Sequence, residues 1–120
     1  MASHVIKIMR RFRYAFEGLY ALFKKDYKFL IHVLIALIVV VCGFIFQLTA
    51  IEWMFIIIAI GLVSAFEAMN TALEYVVDLV TSDYHALAKH AKDVAAASVL
   101  ITALIALVIG LIIFIPHIFY

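Results

Sequence analysis

Three long apolar runs dominate this sequence and limit its fold more than any other feature. The first covers about residues 29–48 and the third about residues 93–116. Each has the roughly 20 residues that a helix needs to cross a hydrocarbon layer about 30 Å thick. The second run, about residues 52–80, is free of charge only from Trp53 to Phe66, although its helical pattern continues beyond that point. The sequence therefore predicts three transmembrane helices.

The composition supports the same prediction. Of the 120 residues, 69% are hydrophobic and 14% are charged, whereas soluble domains have about 45–50% and about 25%. A chain this short cannot hide so much apolar surface in a water-soluble core. We therefore expect a single all-α membrane domain over residues 1–120. The net charge of +1 suggests no nucleic-acid partner, and the lone Cys42 excludes a disulfide framework.

The segment before the first run, about residues 4–25, is too polar to cross a membrane. Its apolar side chains recur at steps of three and four, with basic residues largely between them. This pattern predicts an amphipathic helix that lies along the membrane surface with its basic side toward the headgroups. A simple anchor without a chemical role is the alternative. The apolar positions are Val5, Ile8, Met9, Phe12, Phe16, Leu19 and Phe23.

The basic residues predict the orientation of the chain. All nine lysines and arginines lie before the first run or in the predicted loop at 81–92. Basic loops stay on the cytoplasmic side of a membrane, so the N-terminus and this loop should both be cytoplasmic. In the third run, small residues recur on one stripe, which predicts a helix–helix contact. They are Ala96, Ala103, Ala106 and Gly110.

The end of the second run carries an unusual polar stripe. Glu67, Asn70, Glu74 and Asp78 are spaced by three, four and four residues, which places them on one face of a helix. At 1.5 Å per residue from Trp53, the helix rises about 21 Å to Glu67 and about 31 Å to Glu74. Glu67 should therefore lie inside the hydrocarbon edge and Glu74 near the headgroups.

Such carboxylates need a partner, and residues 66–78 contain no lysine, arginine or histidine. Burying each one ionised and unpaired costs several kcal/mol. Either some stay protonated or a cation lies among them, and Mg²⁺ accepts two or three oxygen ligands together with water or phosphate. A helix cap or a solvated face would explain Asp78 equally well, but it would explain Glu67 poorly.

Two other polar segments could join this stripe. Residues 81–93 would bring Asp83, His85, Lys92 and Asp93 to the surface, where Lys92 could bind a polyphosphate, although a plain solvated loop has the same composition. Asp26 lies between bases before the first run. It could form a surface ion pair, or it could join Glu74 around a metal ion. The four glycines do not cluster, which excludes a P-loop or a kinase glycine-rich loop.

The stretch "EAMNTALEYVVD", followed by "YHALAKHAKDVAAASVLI", resembles the signature of the prokaryotic integral-membrane diacylglycerol kinase family. That pattern is E-x-x-N-[ST]-A-x-E-x-x-x-D, followed by a histidine and A-K-D. "FRYAFEGL" also resembles the N-terminal segment of its Gram-positive members, which are undecaprenol kinases. The resemblance covers nearly the whole chain and implies a homotrimer in the bacterial cell membrane, with active sites shared between protomers.

The resemblance also implies a reaction and a set of roles. The family transfers the γ-phosphoryl group of MgATP to a lipid hydroxyl. Glu67 would be the general base, Asn70 would orient it or the substrate, and Glu74 would bind Mg²⁺ with Asp26, where the family usually has glutamate. The ATP-binding residues would be Tyr14, Lys7, Arg10, Asp83, His85, Lys92 and Asp93, together with Asp26 and Glu74. The acceptor would be undecaprenol, with diacylglycerol as the alternative.

Two other classes of protein also place carboxylates in a membrane. An ion or proton translocator would carry charges near the midplane and usually has repeated halves, whereas this chain has its acids toward one interface and no internal repeat. A structural subunit would have no reason to place Glu67 in lipid without a basic partner. Together with the resemblance, these residues favour a lipid kinase over the other two classes.

Overall fold

The computed structural model describes residues 2–120, and this part of the chain consists of four α-helices. The long apolar helices confirm the all-α prediction, and three of them have the length and composition to cross a membrane. The helices are α1 (Ala2–Lys25), α2 (Tyr27–Ile45), α3 (Ala50–Val80) and α4 (Ala86–Phe119).

Helix α1 matches the predicted N-terminal helix in extent, and none of its residues is buried. It ends at a sharp corner, where the backbone N–H of Asp26 still bonds to the carbonyl of Leu22. Asp26 then becomes the N-cap of α2, with its side chain accepting from the N–H groups of Lys28 and Phe29. A cap of this kind satisfies backbone donors that a helix start leaves free. Whether α1 lies on a membrane surface stays a prediction.

Helices α2 and α3 form a tight hairpin. Gln47 has a positive φ of 55°, and Leu48 N–H bonds back to the Gly43 carbonyl, which is the usual way to close a helix C-terminus. Thr49 and Glu52 then form a reciprocal capping box at the start of α3. Gly43 is required by close approach, because a Cβ there would lie 2.5 Å from the indole of Trp53.

Helix α4 begins earlier than the sequence predicted. The loop expected over 81–92 has only five non-helical residues, since α4 starts at Ala86 with His85 as its N-cap. The His85 ring accepts a hydrogen bond from Leu87 N–H at 3.1 Å. The helix that contains the predicted third span therefore has about two additional turns at its start. The charged side chains of those turns are arranged along a helix and not in a loop.

Helices α3 and α4 share the most extensive interface of the four. The buried positions of α4 are Ala95, Val99, Thr102 and Ile113. The predicted small-residue stripe is only partly right, because Ala96 is exposed and Gly110 would accept a Cβ with no atom within 4 Å. Within the protomer, Ala103, Ala106 and Gly110 border an open apolar groove, and Ala96 lines a separate cavity beside α2 and α3.

A polar contact joins α3 and α4 at the end of the pair that lies away from the 81–85 loop. His117 Nε2 lies 3.0 Å from Glu52 Oε2, joining the last turn of α4 to the first turn of α3. Most large apolar side chains elsewhere on α2, α3 and α4 are exposed. Such a surface is suited to lipid or to other helices and not to water.

Candidate functional site

The polar stripe of α3 becomes less buried toward the C-terminus of the helix. Glu67 and Asn70 are 2% and 4% exposed, whereas the side chains of Glu74 and Asp78 are 34% and 62% exposed. The first three residues of the stripe face a cavity of about 310 Å³ between α2, α3 and α4, which we call the inner cleft. It is lined by Lys28, Ile31, His32, Glu67, Asn70, Glu74, Ala96 and Val99.

The stripe has a basic partner that the sequence did not predict. Lys28 Nζ donates to Glu74 Oε1 at 2.9 Å, and Asn70 Nδ2 donates to the same oxygen at 3.1 Å. Residues 66–78 contain no base, which suggested that the stripe has no protein cation as a partner; this is wrong for Glu74, because Lys28 reaches it from α2. It is also wrong for Asp78, which pairs with Lys92. The cleft beside Glu74 remains open despite the first of these ion pairs.

Glu67 is held differently from Glu74. Its Oε2 lies 3.7 Å from His32 Nε2, which is longer than a hydrogen bond, and its Oε1 has no hydrogen-bond partner among residues 2–120. Asn70 Oδ1 is likewise buried with no partner in that part of the chain. Buried acceptor oxygens without a hydrogen-bond partner are rare in folded proteins. They are suited to receive a donor such as a substrate hydroxyl.

Asp26 does not form the surface ion pair that was one expectation, since it is 6% exposed and no cation within the described residues pairs with it. Its Oδ1 caps α2 and its Oδ2 accepts from the Thr71 hydroxyl of α3. The short hydrogen bond to Thr71 ties the α1–α2 corner to the same part of α3 that carries Glu67 and Glu74.

Four of the predicted nucleotide-binding residues lie together. Asp83, His85, Lys92 and Asp93 line a cavity of about 350 Å³ at the turn between α3 and α4, which we call the loop cleft. The structure adds Asp78 and Lys89 to it, and Lys89 Nζ donates to Asp93 Oδ2 at 2.6 Å. The early start of α4 produces this arrangement, because it sets Lys89, Lys92 and Asp93 on the first turns of a helix.

The three predicted contributions from α1 are not brought to this region. Lys7, Arg10 and Tyr14 are exposed and line neither the inner cleft nor the loop cleft. The later part of α1 approaches α3, where Gly18 and Leu22 border a cavity of about 390 Å³ with Thr71 and Tyr75. The proposed role of Lys7, Arg10 and Tyr14 in nucleotide binding therefore stays a prediction.

Among the predicted metal ligands, Glu74 is the one whose carboxylate has an oxygen free to bind a magnesium ion. Within residues 2–120, no three His, Cys, Asp or Glu side chains lie close enough to enclose a metal ion. A Mg²⁺ site built from one or two carboxylates and substrate phosphates does not need such a cluster. Glu74 fits this description, since its Oε2 makes no hydrogen bond to the described residues. Asp26 fits less directly, because both of its oxygens already accept hydrogen bonds.

Sequence reasoning missed His32, Lys28 and Thr71. In the sequence, Lys28 counts only among the nine bases, Thr71 only fills the Ser/Thr position of the motif, and no role is assigned to His32. The available signal was their place near the predicted interface, where a polar residue at the end of an apolar run can face a neighbouring helix.

Together, the fold and the clefts define a multi-helix membrane protein that gathers buried carboxylate and amide oxygens beside a charged surface cleft. The chain belongs to the prokaryotic diacylglycerol kinase family, whose model matches residues 13–114. This match confirms the family predicted from the sequence motif.

The relatives carry two names. The chain is 41% identical to the undecaprenol kinase of Bacillus subtilis over 110 residues, which cover 92% of this chain and 89% of that protein. It is 32% identical to the diacylglycerol kinase of Escherichia coli K12 over 102 residues, covering 85% and 84% of the two chains. It is also 41% identical to a diacylglycerol kinase of Synechocystis over 100 residues, which cover 82% of this chain and 57% of that protein.

Proposed function

We propose that the protein transfers the γ-phosphoryl group of ATP to the hydroxyl of undecaprenol, giving undecaprenyl phosphate. The observation that carries this proposal is the buried, unpartnered Oε1 of Glu67 at the inner cleft. The similarity to an undecaprenol kinase over 92% of the chain favours undecaprenol as the acceptor. Diacylglycerol is the second candidate, because other relatives carry that name.

In this proposal, Glu67 is the general base. The lipid hydroxyl donates its single hydrogen bond to Oε1. Asn70, one turn further along the same face, would orient the Glu67 side chain, since its Oδ1 can accept a hydrogen bond from Glu67 once that carboxyl holds the proton. The hydroxyl oxygen forms a bond to the γ-phosphorus while the bond between that phosphorus and the bridging oxygen breaks. ADP leaves with the electron pair, and the proton passes to Glu67.

The loop cleft is the proposed nucleotide site. Lys92 and Lys89 supply positive charge there, and His85 and Asp83 lie at its rim. Lys92 would exchange its contact with Asp78 for the oxygens of a polyphosphate, which carries several negative charges. Mg²⁺, held by Glu74 and by Asp26 once that side chain turns from its cap, would offset the charge that develops on the γ-phosphoryl oxygens.

The assembly and orientation remain part of the proposal. We propose that α1 lies on the inner leaflet, that the loop between α3 and α4 is cytoplasmic, and that three protomers form a trimer with shared sites. The position of all lysines and arginines supports the orientation. The open sides of both clefts support the sharing, since three spans cannot enclose a polar face. Lys7, Arg10 and Tyr14 would then reach the nucleotide of a neighbouring protomer.

One assay tests the proposal. The purified protein in detergent micelles is given labelled ATP, Mg²⁺ and either undecaprenol or diacylglycerol at equal mole fraction. We expect labelled undecaprenyl phosphate to form at least about tenfold faster than phosphatidic acid, which corresponds to about 1.4 kcal/mol in the barrier. Faster labelling of diacylglycerol would reverse the acceptor but keep the kinase. No labelled lipid from either acceptor would refute the function.

A further inference from the structure

His32 occupies a position that no other described residue shares. Of residues 2–120, it alone lines both the inner cleft and the apolar groove of about 450 Å³ that runs between α2, α3 and α4. The groove is bordered by side chains such as Ala36, Val63 and Ala103. The His32 side chain is 24% exposed, so its ring stands where a polar cavity meets an apolar one.

Glu67 needs a group that fixes its carboxylate. Its side chain is 3% exposed. The other side-chain donors of the inner cleft, Lys28 and Asn70, form their hydrogen bonds with Glu74 Oε1 and not with Glu67. His32 Nε2, at 3.7 Å from Oε2, is the one Lys, Arg or His nitrogen of residues 2–120 that lies within 4.0 Å of the Glu67 carboxylate. A movement of well under 1 Å would bring the two atoms within hydrogen-bond range.

We propose that His32 is a positioning residue for Glu67. Its Nε2–H holds Oε2, which leaves Oε1 directed at the point where the acceptor hydroxyl enters the cleft. This inference rests on the proposed function, because it assigns His32 a role in the proton transfer to Glu67. A general base must be held within hydrogen-bond reach of the proton that it removes, and small misplacements are costly in rate.

Histidine is suited to this position for a physical reason. An imidazole ring can offer an N–H donor to the carboxylate. A lysine in the same place would form a full ion pair, as Lys28 does with Glu74. The ring is also flat and rigid beyond its two side-chain torsions, so it can hold one carboxylate oxygen at low entropic cost.

Three variants separate a positioning role from a packing role. His32→Leu keeps the volume but removes the donor, His32→Gln keeps an N–H donor, and His32→Ala leaves space for free imidazole. His117→Gln is the matched control, since His117 contacts Glu52 at the far end of the molecule. For each, kcat and the KM values for lipid and MgATP are measured on protein that remains folded in the same micelles.

We expect His32→Leu to lower kcat by roughly 10–100-fold, with both KM values within about twofold, because orientation and not binding is lost. His32→Gln should recover at least about a third of the wild-type kcat, and imidazole should restore part of the kcat of His32→Ala. In a Glu67→Gln background, His32→Leu should cause no further loss, since residues that act as a unit are not additive.

Three results would overturn the proposal. The first is a His32→Leu variant with a kcat within twofold of the wild type. The second is an equal loss from His32→Leu in the Glu67→Gln background, which would show independent action. The third is a His32→Ala variant that loses activity and does not respond to imidazole. These failures are distinct from failure of the proposed function, in which the wild-type protein itself would label neither lipid.

Discussion

Lys28 on α2 and Glu74 on α3 form a direct ion pair, with Nζ and Oε1 separated by 2.9 Å. They are 46 residues apart in the sequence, so the pair exists only because the α2–α3 hairpin returns the chain to the same level. The contact crosses the mouth of the inner cleft and occupies one oxygen of the carboxylate that we propose as a metal ligand.

Lys28 should therefore compete with Mg²⁺ for Glu74. Replacing Lys28 by Gln leaves this half-exposed carboxylate without a cation, and an exposed ion pair is worth up to about 1 kcal/mol. We expect the Mg²⁺ concentration for half-maximal thermal stabilisation to fall by up to roughly fivefold. Thermal unfolding of the detergent-solubilised protein across a Mg²⁺ titration measures this. An unchanged or weaker response to Mg²⁺ would show that Lys28 and the ion do not share Glu74.

The hydrogen bond from Thr71 to Asp26 should contribute to stability. Thr71→Val keeps the shape of the side chain but leaves a buried carboxylate oxygen without its donor, which costs about 1–3 kcal/mol. Thr102→Val is the matched control, because the buried Thr102 hydroxyl donates only to the carbonyl of Val99 in its own helix. Denaturant unfolding in mixed micelles should show a clear loss for Thr71→Val and a smaller one for Thr102→Val. Equal losses would contradict the special role of the Asp26 contact.

Asp26→Asn separates capping from metal binding. The amide oxygen can still accept the backbone N–H bonds of Lys28 and Phe29 that now go to Oδ1, so the helix start should be stable to within about 1 kcal/mol. The loss of charge should nevertheless reduce kcat by roughly tenfold or more and raise the Mg²⁺ requirement, as expected for a ligand. Full activity at the wild-type Mg²⁺ concentration would make Asp26 a cap only.

Gly43 should be the least tolerant of the glycines to alanine. A Cβ at Gly43 would lie 2.5 Å from Trp53, whose ring also contacts Phe44 at a centroid distance of 4.9 Å. Overpacking of this kind costs about 1–3 kcal/mol. A Cβ at Gly61 meets no atom within 4 Å, so Gly61→Ala should gain up to about 1 kcal/mol of helix propensity. Thermal midpoints should move in opposite directions, and a stabilised Gly43→Ala would contradict the close contact.

The course of the helices was predictable because each long run is apolar for the full thickness of a membrane. The prediction that 81–92 is a loop was wrong in its second half, since charged residues such as Lys89 and Asp93 were read as loop and not as the polar start of α4. At the hairpin, Gly43 and Gln47 were not recognised, because their roles depend on the approach of Trp53 and on local backbone torsions.

The candidate site was predictable only where it lies along one helix. The spacing of Glu67, Asn70 and Glu74 places them on one face whatever packs against it. The partners of these residues could not be predicted in the same way. Lys28 and His32 lie on α2, and only tertiary packing brings them to Glu74 and Glu67. A lone histidine within an apolar run gives no local sign of what it faces.

Replacing Glu67 by Gln tests the central claim most directly. The amide keeps the size of the side chain but cannot take the proton of the lipid hydroxyl, and Glu52→Gln is the matched control at the other end of α3. With labelled ATP and undecaprenol in micelles, we expect Glu67→Gln to lose at least about 10²-fold in kcat while keeping the assembly state and thermal midpoint of the wild type, and Glu52→Gln to remain active. A folded Glu67→Gln protein that phosphorylates lipid at the wild-type rate would contradict the account.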